Sequence, residues 1–424
     1  MPHLYGADLL LPDFSRVDGA RYAVVACDQY TSEPEVWHET ERIVGDAPSA
    51  LRMILPEVWL GERTARTPKI HAAMREYRKS VLVSHPDTLI YLRRECGDGG
   101  AVREGLICAI DLEDYDYRSG TRSPIRPTEG TVTDRIPPRL DVRRGAPLEL
   151  PHVMLLFDNP TSPIFPICEQ ATRGTAPLYD IQLMQGGGRA VGYAVPAAAR
   201  ERLFAAIEAH EDAARDRCPD APLLYAVGDG NHSLATAKAY YEELKSLLGE
   251  AAAQHPARYA LIELCSLSSP AIQFRPIYRA VFGTDPKELL GALRADADAP
   301  HDEKYPCQSI TALLPDGSET KVTYAHGSHP LTVGSLQLFL DEYAKTHPDA
   351  VIDYIHGEDS LASIVREQGA VGFLFDGMEK DELFPAVSAS GVLPRKTFSM
   401  GEAYDKRYYL EAREICCHGE EEKA

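Results

Sequence analysis

The sequence lacks any run of 18 apolar residues, which excludes a membrane-spanning helix of ordinary length. Its opening residues, Met1-Pro2-His3-Leu4-Tyr5-Gly6, carry neither the basic nor the apolar region of a secretory leader. There is no C-x-x-C pair: the nine cysteines are scattered, with only Cys416 and Cys417 adjacent. Free thiols in a reducing cytoplasm are therefore expected, and a zinc ribbon is not. Basic residues are scarce, with 44 Lys plus Arg against 64 Asp plus Glu and a net charge of −20. That balance argues against a general DNA or RNA binder, whose affinity depends on neutralising phosphates. It leaves room for a single nucleotide, which needs only a local basic pocket. No internal repeat, low-complexity tract or P-loop is present; Gly186-Gly187-Gly188 lacks the Lys-Ser/Thr ending and the following helix.

What is present is an ordinary globular composition, 44% hydrophobic and 25% charged over 424 residues, enough for two or three domains. The stretch that organises the chain is Leu224 to Leu234. An apolar run ends in Gly228-Asp229-Gly230, and a helix follows with Leu234, Ala237, Tyr241, Leu244 and Leu248 at three- and four-residue spacing. A strand, a glycine turn and a helix leave backbone N–H groups converging on one spot that favours an anion. Asp229 adds an oxygen ligand for a metal and His232 a proton-transfer group. Asn231, His232 or Ser233 also read as plain caps of the first turn.

Three further segments carry chemistry. A strand over Tyr22–Cys27 ends in Asp28-Gln29-Tyr30-Thr31, a site edge or a helix cap, with Asp28 the residue singled out. Ser123 to Arg135 contains Arg126, Glu129, Asp134 and Arg135 among prolines and threonines. It reads equally as a phosphate- and metal-holding loop or as a solvated one. Near the other end, Pro394-Arg395-Lys396-Thr397-Phe398-Ser399 follows a glycine turn and forms a phosphate or carboxylate hand, or an exposed basic loop. Between these segments, a hairpin is expected around Gly186–Gly188. Strands are expected at 89–94, 105–112, 152–157 (continuing through Ile164–Cys168) and 259–265, and a helix over 196–216. The Cys96–Gly100 segment is expected to be a turn. A change of character near 284 divides the chain into an N-terminal α+β region, 1–283, and a C-terminal α/β region, 284–415. The latter is read from alternating strands and helices; a charged, frayed tail occupies 416–424.

Together these pieces resemble, over nearly the whole chain, the bacterial and archaeal family called domain of unknown function 1015. The family's Ala-Asp-Gly-His-His-Arg-Tyr element stands here as Gly228-Asp229-Gly230-Asn231-His232-Ser233. Its His-Glu-x-Thr and Asp-Arg correspond to Thr128-Glu129-Gly130-Thr131 and Asp134-Arg135. Its Pro-Thr-His-Arg corresponds to Pro276-Ile277-Tyr278-Arg279, and its Met-Pro-x-Lys-Ser-Thr-x-Phe to Leu393-Pro394-Arg395-Lys396-Thr397-Phe398. Asn231, Ser233, Thr128 and Tyr278 depart from that pattern. The first element is also similar to that of ParB-like proteins, a superfamily that includes partition proteins, sulfiredoxins and kinases of free serine.

The resemblance implies an α/β (α+β) fold with mixed sheets and a ParB-like core. It also implies a nucleotide, ATP or ADP, usually with Mg²⁺. The function it favours is a nucleotide-dependent phosphotransferase acting on a small hydroxylated metabolite, serine-like at best guess. Gly228, Gly230, Asn231 and Ser233 would hold phosphates, and Asp229 and Asn231 the magnesium. Glu129 would be the general base, with His232 the alternative. Arg126, Arg135, Arg279 and Lys396 would steady the transferring charge, Thr397 would join in binding phosphate, and Arg126, Arg279 or Lys396 would stand in for the arginine absent at Ser233. A non-catalytic nucleotide switch and a metal-dependent phosphoester hydrolase using Asp229 and His232 are the competing readings. Long nucleic acid and membrane are not expected partners, and no motif sets the oligomeric state.

Overall fold

The computed structural model describes residues 3–97 and 100–417. Asp98 and Gly99 of the expected turn, and the tail from His418 onward, lie outside the described residues. The chain forms two compact units, Met1–Ile272 with Glu402–Ala424, and Gln273–Gly401.

The first unit is built on one mixed sheet. Its strands and the helices used below are, in chain order, β1 (Leu4–Tyr5), α1 (Arg63–Ser80), β2 (Ile90–Glu95), β3 (Val102–Asp111), β4 (Ile125–Pro127), α2 (Ile136–Arg143), β5 (Met154–Phe157), β6 (Tyr179–Gln182), β7 (Arg189–Ala194), α3 (Ala197–Arg217), β8 (Tyr225–Asp229), α4 (Asn231–Leu248) and β9 (Tyr259–Ser266). The sheet order is β6-β7-β2-β3-β9-β5-β8-β4, with β1 also on β3. The β8–β4 and β9–β5 ladders are parallel and the others antiparallel. Side chains alternate across it as the pleat requires. Leu106, Cys108 and Ile110 of β3 and Ala260, Ile262 and Leu264 of β9 face a core shared with Leu203 and Ile207 of α3 and Leu234 and Tyr241 of α4. Ile107, Ala109 and Leu261 face the opposite core, with Ile70, Met74 and Tyr77 of α1. Both faces are thus covered, which explains the near-continuous apolar reading of β9.

The second unit contains β10 (Phe274–Phe282), α5 (Pro286–Ala297), β11 (Gln308–Leu313), β12 (Glu319–Tyr324), α6 (Thr332–Thr346), β13 (Val351–His356), α7 (Glu358–Gln368), β14 (Val371–Phe375), α8 (Leu383–Ser390) and β15 (Phe398–Met400). Its order is β12-β11-β14-β10-β13, with β15 also on β10. The alternation of strands and helices does not give adjacent parallel strands here. β10 lies between β13 and β14 and runs antiparallel to both, a split β-α-β arrangement.

Several expectations are revised. The unit boundary falls before β10, not near 284, because β10 belongs wholly to the second sheet. Residues 402–417 return to the first unit, where β16 (Tyr408–Tyr409) pairs with Val24–Val25. Tyr22–Cys27 is only partly extended, a helical turn at Gly19–Tyr22 preceding the strand Val24–Val25. Ile164–Cys168 is not a strand but the start of the helix Ile164–Thr172, whose proline at 166 sits in the first turn, where no backbone donor is lost.

Candidate active site

The end of β8 and the start of α4 form the expected turn. Gly230 has φ 79°, and a β-carbon there would lie 3.0 Å from Val153 Cα and 3.3 Å from the His152 ring. Glycine is thus needed twice over, for the left-handed backbone and for the close approach to the chain entering β5. No side chain caps α4. Asn231, His232 and Ser233 therefore present the positive end of the helix.

Tertiary structure brings three other segments to this point. The parallel β4–β8 register sets Ile125, Arg126 and Pro127 beside Tyr225, Ala226 and Val227. The chain after β4 consequently runs along the motif: Thr128 Oγ1 donates to the Val227 carbonyl (2.7 Å), and the Val132 N–H donates to His232 Nε2 (3.4 Å). Glu129 lies in this loop, half-buried. Asp28 follows the strand Val24–Val25 and forms an ion pair with His152, Oδ2 to Nε2, at 3.6 Å. The other ring nitrogen of His152 shares a hydrogen bond with the Tyr409 hydroxyl (2.8 Å), and that hydroxyl accepts the Cys27 backbone N–H (3.1 Å). Lys406 Nζ lies 3.5 Å from Asp229 Oδ2.

The result is a buried group of alternating charge. Burial pushes the Asp28 carboxyl up, but His152, the Gln29 amide and Lys406 outweigh it and hold Asp28 well below the usual carboxylate range. For His152 burial acts downward, and the carboxylates of Asp28 and Asp229 reverse it, leaving the imidazole raised. Burial likewise pushes the Cys27 thiol up. Two oxygens of the two converging segments, Asn231 Oδ1 and Thr131 Oγ1, are buried with no hydrogen-bond partner among the described residues, and Asp229 Oδ2 has only the Lys406 ammonium beside it. Such atoms are rare in folded proteins and point to a bound group. Beside them opens a cavity of about 150 Å³, lined by Asp28, His152, His232, Ser233, Thr236 and Tyr409 and by apolar residues.

The other sequence candidates are placed differently. Arg126 is buried and donates to the carbonyls of Ser123 (2.8 Å) and Ala221 (2.5 Å), so its guanidinium staples the loops flanking β4 and β8. Arg135 is exposed at the start of α2. Arg279, Lys396 and Thr397 belong to the second unit. There Arg279 is fully buried, stacks over Tyr354 (4.6 Å to the ring centre), and donates to Gln337 (2.8 Å) and to the carbonyls of Lys396 (3.1 Å) and Arg395 (3.2 Å). Its role is to hold the 394–397 turn, in which Thr397 Oγ1 donates to the Pro394 carbonyl (2.6 Å) and Lys396 has φ 57°. His152, Lys406 and Tyr409 escaped the sequence reading. The one signal was a histidine just before an apolar strand; residues 406 and 409 are distant in sequence and carry no motif.

Among the described residues no group of three His, Cys, Asp or Glu side chains is arranged to hold a metal. That does not disfavour Mg²⁺, which commonly takes one or two carboxylates and completes its shell with water and phosphate.

A family model described as "Protein of unknown function (DUF1015)" matches residues 14–347. The protein belongs to the DUF1015 family. No curated protein matches this DUF1015 chain. Solved structures similar to it include a conserved hypothetical protein from Pyrococcus furiosus (12% identity, TM-score 0.35, 73% of this chain and 95% of that one). A free serine kinase in complex with AMP gives 11% identity and a TM-score of 0.38 over 72% of this chain and 90% of that one. SbnI with C-terminal truncation from Staphylococcus aureus gives 10% and 0.32 over 74% and 83%. Likenesses of this size do not assign a function to the DUF1015 protein. Among its described residues no helix is long and apolar enough to cross a membrane.

Proposed function

We propose that the protein is a nucleotide-dependent phosphotransferase acting on a small hydroxylated metabolite, with ATP or ADP as donor and the Gly228–Ser233 segment as a ParB-like phosphate-holding element. The observation that carries this reading is the uncapped N-terminus of α4, which opens on a cavity walled by the Asp28–His152 pair, beside unpartnered buried oxygens. Phosphoryl transfer needs mainly positioning and charge neutralisation, and both are available here. The backbone donors of Asn231 to Ser233 bind phosphate oxygens, and Lys406 supplies a nearby positive charge.

Glu129 does not line the cavity, whereas Asp28 does. We therefore assign the orientation of the acceptor hydroxyl to Asp28, held ionised by His152, keep His232 for positioning the phosphates, and leave Glu129 as the alternative base. The acceptor oxygen forms a bond to the terminal phosphorus, the bond from that phosphorus to the nucleotide's bridging oxygen breaks, and the hydroxyl proton, hydrogen-bonded to Asp28, passes to an oxygen of the transferred phosphoryl group as the new bond forms. Asp229 and Asn231 would hold a magnesium ion, which when bound offsets phosphate charge.

The test is nucleotide turnover by the full chain with a panel of hydroxylated small molecules. Turnover lost at least a hundredfold in Asp28→Asn is the expected result. Tight nucleotide binding without turnover would favour a switch protein. Stabilisation by divalent metal alone, with hydrolysis of small phosphate esters, would favour a hydrolase.

A further inference from the structure

We propose that the cavity at the start of α4 takes the apolar body of a neutral alcohol, one ring or a short branched chain in size, and discriminates against zwitterionic amino acids such as serine. The ligand's role as phosphoryl acceptor rests on the reading above; its chemical class rests on the cavity walls. Most of the wall is hydrocarbon or thioether, including Met53, Leu55, Leu60, Met74, Val142 and Leu148. Methionines among branched aliphatics accept varied apolar shapes. A volume of about 150 Å³ is enough for a benzene-sized molecule.

The charged groups on the wall are already matched. Glu57 pairs with Arg139, Arg143 with Glu149 (2.5 Å), and Asp28 with His152 (3.6 Å). An amino acid would bring an ammonium and a carboxylate into this lining without a spare counter-charge for either, and an unpaired buried charge is strongly disfavoured. A neutral hydroxyl asks for less. Ser233 lines the cavity and its hydroxyl makes no hydrogen bond to the described residues, whereas that of Thr236 is committed to the His232 carbonyl (2.7 Å). Ser233 stands on the first turn of α4, so an alcohol bonded to it has its oxygen where the phosphate donors converge.

Calorimetric titration of the full chain with benzyl alcohol and cyclohexanol, against L-serine and glycerol, tests the assignment. The first pair is expected to bind at least tenfold more tightly than the second. Ala146→Leu and Leu60→Trp each fill the cavity and should abolish benzyl alcohol binding while leaving the thermal stabilisation by MgATP intact; two variants guard against misfolding of one. Ser233→Ala should weaken benzyl alcohol several-fold and leave toluene unchanged. Serine binding as tightly as benzyl alcohol would overturn the assignment. So would undiminished benzyl alcohol binding in both filled variants, or loss of MgATP stabilisation in them, which would put the nucleotide's base in the cavity. Parent protein that binds benzyl alcohol but not MgATP would remove the transfer reading and leave the ligand class standing.

Discussion

Glu263 of β9 is fully buried, and its replacement by glutamine is the sharpest test of what secures the first unit. Its two carboxylate oxygens meet Arg103 Nε (3.1 Å) and Arg407 Nη1 (2.9 Å). Arg407 continues to Glu411 (2.6 Å), which accepts the Tyr179 hydroxyl (2.5 Å). Arg103 also donates to the Asp405 carbonyl (2.7 Å), and Arg94 to that of Tyr404 (2.9 Å). The network thus ties residues 404–411, including the strand carrying Tyr409, to the middle of the sheet. Burial pushes the Glu263 carboxyl up, yet the two guanidiniums overcome this and bring it from 4.5 down to about 2. At 1.36 kcal/mol per unit, that shift corresponds to about 3 kcal/mol, similar to the roughly 3–5 kcal/mol expected when one member of a buried ion pair is removed. Because the folded-state value is depressed, this contribution is whole above pH 4.5 and is lost as the pH falls toward 2. Both tryptophans, Trp37 and Trp59, lie in the first unit, so urea titration followed by tryptophan fluorescence reports this unit. Glu263→Gln should lose about 3 kcal/mol at pH 7 and show a shallower loss between pH 4.5 and 2.5 than the parent. A loss below about 1 kcal/mol, with an unchanged acid slope, would refute the argument, since it would mean that the arginines are not relying on this carboxylate.

Two further substitutions probe separate parts of the fold. Gly230→Ala adds a β-carbon at positive φ and against Val153, so thermal unfolding should show a loss of about 1–3 kcal/mol, and MgATP should no longer stabilise the variant. Arg279→Met should leave the carbonyls of Arg395 and Lys396 unpaired and make the 394–397 turn a site of rapid limited proteolysis, with the tryptophan-detected unfolding of the first unit unmoved.

The parts of this protein that were legible in sequence are local. Gly228-Asp229-Gly230 before an apolar helical stripe specifies a strand, a left-handed turn and a helix within a few residues. Likewise Gly186–Gly188 specifies the β6–β7 hairpin by turn chemistry. Where the local signal was ambiguous, context decided. Ile164–Cys168 is apolar enough for a strand, but it packs as a helix. The composition change near 284 is real, yet the unit boundary lies eleven residues earlier because a continuous strand, β10, joins the second sheet. Asp28 could be picked out, though not distinguished from a helix cap, because its partner His152 lies 124 residues away.

By itself, the sequence determined an acidic chain, a mixed α/β architecture and a strand, a left-handed turn and a helix at α4, since these follow from composition, periodicity and glycine stereochemistry over short spans. Only the tertiary structure decided which charges stand beside that turn. Arg126 and Arg279 were drawn into stapling backbone carbonyls, while His152, Lys406 and Tyr409 were carried to Asp28 and Asp229 by β5 and by the returning C-terminal strand. Electrostatic partnership depends on distance in space, and sheet pairing between remote segments sets that distance without leaving a mark in the residues on either side.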